Sequence, residues 1–91
     1  MLNLLPEIAP PSMWKVMLHH GESPPEFVEA VLTEFFGKDD ISAARVMVHA
    51  MHNGCATIGL YTKEIAVTKV AQMQMAADLY HYPLFVTASR A

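Results

Sequence analysis

Thr57-Ile58-Gly59-Leu60-Tyr61-Thr62-Lys63-Glu64-Ile65-Ala66-Val67-Thr68-Lys69-Val70-Ala71 changes its periodicity at Thr62. The first five residues are mostly β-branched or aromatic and predict a short strand, 57–61. Thr62 is a residue type that caps helices. Beyond it, Ala66, Val70, Met73, Ala77 and Tyr80 recur at helical spacing and predict a long helix over 63–80 with that stripe buried. Upstream, Asn53-Gly54 stops a preceding helix, because glycine takes the left-handed conformation a helix end needs. That helix runs back to a cap at Asp39 or Asp40. Downstream, Pro83 separates the long helix from a last strand, Leu84-Phe85-Val86-Thr87.

The N-terminal half follows the same logic. Met13-Trp14-Lys15-Val16-Met17-Leu18 reads as a strand with Trp14, Val16 and Leu18 on one face. His19-His20-Gly21-Glu22 is a turn. Ser23-Pro24-Pro25-Glu26 reads as a helix start, with Ser23 as cap and Glu26 closing a capping box. Phe27, Val28, Val31, Leu32, Phe35 and Phe36 follow at helical spacing, and Gly37 ends the run. The predicted order is β-α-α-β-α-β, an α+β fold in which a three-stranded, mainly antiparallel sheet packs against three helices in two layers. Residues 1–11, with three prolines and no periodicity, are expected to form a short tail, and 12–91 the core domain.

Composition narrows the function. The 91 residues are 53% hydrophobic and 16% charged, which places the chain among folded single domains. A domain of this size buries only about 60–65% of its unfolded surface, so its core must be used efficiently. Net charge is −3 and no basic cluster occurs, which argues against nucleic-acid binding. No run approaches the roughly 20 apolar residues of a membrane helix. The N-terminus lacks the pattern of a signal peptide. A single cysteine, Cys55, excludes an internal disulfide, and a cytoplasmic location is the expectation.

The second helix is unusual. Ser42, Arg45, His49 and His52 form one narrow polar stripe, and Ile41, Ala43, Ala44, Val46, Met47, Val48, Ala50 and Met51 fill the rest. Its apolar arc exceeds the usual width of about 100°. Either both flanks are buried, or Met47, Ala50 and Met51 line a partly open apolar pocket, a role that suits methionine.

Several segments resemble the ClpS family, adaptors of the Clp protease. They are Pro11-Ser12-Met13-Trp14-Lys15-Val16-Met17-Leu18, Pro24-Pro25-Glu26-Phe27-Val28 through Phe35-Phe36, Asn53-Gly54-Cys55-Ala56 with Gly59-Leu60-Tyr61-Thr62, Glu64 through Ala71, and Tyr82-Pro83-Leu84. The resemblance covers nearly all of 11–91 and implies two surfaces. One docks on the N-terminal domain of a Clp AAA+ ATPase, with Glu64 and Lys69 at the family's glutamate and lysine positions. The other is a pocket for the bulky N-terminal residue of a substrate peptide. On this chain it falls on His19, His20, Gly21, Glu22, Ser23, Met47, Ala50, Met51 and Leu84.

The pocket departs from the family pattern. The family's turn carries an asparagine and two aspartates that bind the substrate's α-amino group. Here either His19, His20 and Gly21 replace that triplet, or His20, Gly21 and Glu22 do, and only the second register keeps a carboxylate. The family's pocket histidine falls on Met51. The resemblance thus implies an adaptor with its docking residues kept and its amino-terminus clamp largely lost. The alternative is an interaction module or inhibitor of the same fold that delivers no such substrates.

Other constellations are weaker. His49 and His52 share a helix face and His19-His20 form a pair, but zinc needs three or four convergent ligands. Cys55 follows a helix stop, a packing position, with no base marked beside it. No phosphate-binding glycine loop is present. No metal, cofactor or catalytic role is expected.

Overall fold

The computed structural model describes residues 12–91, so the expected tail lies outside the described residues. Six elements follow one another: β1 (Trp14–His19), α1 (Pro25–Phe36), α2 (Asp40–Asn53), β2 (Cys55–Tyr61), α3 (Lys63–Tyr80) and β3 (Phe85–Arg90). The strand order is β2-β1-β3, and both pairings are antiparallel. The predicted element order and fold class hold.

β1 is central, and its alternation decides which sheet face meets the helices. Val16 and Leu18 are buried, together with Ala56 and Ile58 of β2. Against them pack Val28, Val31 and Leu32 of α1, Ala43, Met47 and Ala50 of α2, and Ala66, Met73 and Ala77 of α3. Val16 faces Gly59 but Met17 faces Thr57, so one residue of β2 is extra and the strand bulges. At Gly59 a β-carbon would stand 2.7 Å from the Tyr61 hydroxyl, so any larger residue there would make the ring of Tyr61 shift.

Helix ends follow residue chemistry at three of the expected positions. Gly37 and Gly54 end α1 and α2 in the left-handed conformation, with φ of 63° and 86°. Asp39, rather than Asp40, caps α2, accepting from the Ser42 amide at 2.7 Å. That bond, then a side-chain bond to Ser42, holds the Asp39 carboxyl below its ordinary value of 3.8.

Other expectations are corrected. Ser23 does not cap α1: Pro24 occupies that position and no side chain bonds the helix start. The Ser23 hydroxyl instead donates to the Pro83 carbonyl. Thr62 occupies the cap position of α3 without a side-chain bond. Tyr80 is 60% exposed rather than part of the buried stripe, because the last turn of α3 passes the core and its ring sits 5.7 Å from Phe27 at the rim. The helix closes at His81, whose φ is 60°. β2 starts earlier than expected, at Cys55, and β3 starts one residue late and runs on to Arg90, because pairing with β1 carries both further than side-chain alternation suggests.

Candidate functional site

Four separate segments converge at one end of the sheet. The end of β1 and the β1–α1 turn bring His19, His20, Gly21 and Ser23; α1 brings Val28; α2 brings Met47 and Ala50; the lead-in to β3 brings Pro83 and Leu84. Leu18 completes the lining. Seven of the nine residues expected from the sequence are thus gathered. Glu22 and Met51 are not: both are exposed and neither lines the cavity. Leu18, Val28 and Pro83 were not expected. For Leu18 and Val28 the signal existed, since both lie on the predicted buried faces of their elements.

The cavity is nearly closed. Its volume is about 10 Å3, roughly the room one water needs. Met47, Ala50 and Leu84 are all buried around it. Its rim is internally tied. The His20 amide donates to the Gly54 carbonyl at 2.8 Å, which fixes the turn to the end of α2. The Ser23–Pro83 bond fixes the other side of the turn to the β3 lead-in. His19 lies opposite in parity to Leu18 along β1, and its Nε2 is 2.8 Å from the Thr87 hydroxyl across the sheet. A β-carbon on Gly21 would contact the Phe85 ring at 3.5 Å.

The second expected surface lies at the start of α3. Glu64 is exposed in the first turn. Lys69, five residues on, is turned about 140° around the helix axis and faces α1. Its ammonium donates to the Phe35 carbonyl and lies 5.5 Å from the Phe36 ring centroid. The structure therefore does not place the two residues side by side. The exposed apolar residues nearest to Glu64 in the chain are Leu60, in β2, Ile65 and Val67. Among the described residues no three His, Cys, Asp or Glu side chains gather as a metal site, and no helix is long and apolar enough to cross a membrane.

The sequence pattern of the family described as "ATP-dependent Clp protease adaptor protein ClpS" matches residues 9–87. This chain belongs to the ClpS family. Among curated relatives, the Clp protease adapter ClpS of Xylella fastidiosa is 37% identical over 86 residues, covering 93% of this chain and 81% of the relative. The ClpS adapter of Maricaulis maris is 41% identical, covering 93% and 79%. Among solved structures, Agrobacterium tumefaciens ClpS2 bound to L-phenylalaninamide superposes with a TM-score of 0.86 at 30% identity, covering 90% of this chain and all of that one. The ClpS fold accounts for the two antiparallel pairings and the three-helix layer, and the family's role is that of a Clp protease adaptor.

Proposed function

We propose that this ClpS-family adaptor docks on the N-terminal domain of a Clp ATPase and carries an apolar pocket that holds a free N-terminal residue only weakly. The observation that supports the second part is the rim of the pocket. L-Phenylalaninamide, the molecule bound to the similar ClpS2, has two demands: space for its ring and acceptors for its ammonium. Space here is about one water, so Met47 must move, which its unbranched side chain permits. Acceptors are scarcer. His19 is engaged with Thr87, Ser23 takes one of the two lone pairs of the Pro83 carbonyl, and Glu22 and Met51 are exposed and do not line the cavity.

Magnitudes decide the outcome. Burying a large apolar side chain gains about 1.5–3 kcal/mol, whereas association costs at least about 4 kcal/mol. Charge-assisted hydrogen bonds of about 1.5–3 kcal/mol each would close that gap, and the rim offers few. Fluorescence anisotropy with a labelled peptide beginning with Phe tests this. The expected curve does not saturate in the low micromolar range. Saturation there, abolished by N-acetylation of the peptide, would show a working clamp and overturn the reading.

A further inference from the structure

We propose that the groove between α1 and α3 is a docking site for a short basic amphipathic helix of a partner protein. The two helices run in opposite directions. Phe27 at the start of α1 lies 5.7 Å from Tyr80 at the end of α3, and the Phe35 carbonyl at the end of α1 accepts from Lys69 in the first half of α3. Between them lies a groove of about 980 Å3. Phe27 and Phe35 line one wall, and Met75, Leu79 and Tyr80 line the other. Met75 is 70% exposed and Leu79 71%. Apolar side chains gathered in this way on a surface mark a place where another molecule sits. The site is separate from the closed pocket, with which it shares no lining residue.

Shape and charge select the occupant. From Gln72 to Tyr80 the groove follows α3 for about 12 Å, a little over two helical turns. A helix laid along it meets the walls with apolar side chains at i, i+4 and i+7, the usual way such a groove takes a partner. Met75 adapts to what it meets, because its side chain is unbranched and polarizable. Among the described residues, the charged ones lining the groove are both acidic: Glu34 on α1 and Asp78 on α3. α1 carries Glu26, Glu29 and Glu34 and no Lys or Arg, and α3 beyond Lys69 carries Asp78 alone. Asp78 accepts one bond, from the Gln74 amide at 3.4 Å, and keeps further lone pairs free. Lys69 is engaged with the Phe35 carbonyl. Lysine or arginine flanking the apolar face of a bound helix therefore meets complementary charge. Residues 1–11 of this chain have Glu7 as their one charged side chain and do not supply it. A second copy presenting the same groove sets acid against acid.

Titration of the full chain with two fluorescent peptides tests this. Both carry leucines at helical spacing along one face; one has lysines elsewhere, the other glutamates. The lysine peptide is expected to bind about tenfold tighter or more, and less tightly as salt is raised. Amide spectra of the nitrogen-15-labelled chain should place its contacts around Ala30, Glu34, Met75 and Leu79. Met75→Ser with Leu79→Ser, both at exposed positions, should weaken binding by about tenfold or more while circular dichroism stays unchanged. Asp78→Lys should weaken it several-fold, whereas Asp40→Lys, the same change of charge placed on α2, should not. Equal binding of the two peptides, amide shifts centred elsewhere, undiminished binding by the double serine variant, or equal losses from Asp40→Lys and Asp78→Lys would overturn the proposal. So would tighter binding after Leu4→Ser with Leu5→Ser, since residues 1–11 would then be what fills the groove.

Discussion

Ser23 stands beside two prolines and three residues before a glutamate, which is the pattern of a capping box. Its hydroxyl nevertheless goes to the Pro83 carbonyl, 60 residues away in the chain. A single buried hydroxyl thereby ties the β1–α1 turn to the lead-in of β3 and frames the pocket. Ser23→Ala is expected to lower stability by about 1 kcal/mol, and Glu26→Ala to leave it unchanged within about 0.5 kcal/mol. Denaturant unfolding of the two variants separates the accounts, since a true capping box would make both changes costly. The error was a local one. Short-range motifs describe what a side chain reaches along the chain, and a long-range acceptor within reach outcompetes them. Lys69 teaches the same lesson: its position suggests a surface charge, yet the fold brings the end of α1 beneath it.

Helix extents were readable because the signals are local. α3 spans Lys63–Tyr80, as the spacing of Ala66, Met73 and Ala77 predicts, and α2 ends where Asn53-Gly54 places its end. Strand limits were less readable, since β3 continues to Arg90 only because β1 offers it partners. The width of the apolar arc on α2 had two readings, and neither holds whole: one flank enters the core while Ile41, Val48 and Met51 stay exposed, and Met51 does not line the pocket with Met47 and Ala50. At the start of that helix, Asp39 offers a pH-dependent test. Its folded pKa is depressed, so its carboxylate stabilises the fold above the ordinary value of 3.8, and the contribution disappears as pH falls through the lower folded value. Asp39→Ala should therefore lower Tm near neutral pH, with the difference from the wild type shrinking as pH drops below 3.8. Thermal melts across that range check it, and a difference that grows toward low pH contradicts the cap.

The pocket draws on residues as distant in the chain as Leu18 and Leu84, and no periodicity joins such segments. Resemblance to ClpS brought most of them together, and the closed volume and tied rim became visible only in three dimensions. The proposed docking surface lies elsewhere, at the start of α3, where Glu64 faces solvent while Lys69 braces α1. The two positions expected to act together are thus separable. Isothermal titration of a Clp ATPase N-terminal domain with the wild type, Glu64→Ala and Lys69→Ala examines this, with Tm measured alongside. The wild type is expected to bind. Glu64→Ala should bind about tenfold more weakly with its Tm unchanged, and Lys69→Ala should lose stability by about 1 kcal/mol. No binding by the wild type, or undiminished binding by Glu64→Ala, would contradict docking through the start of α3.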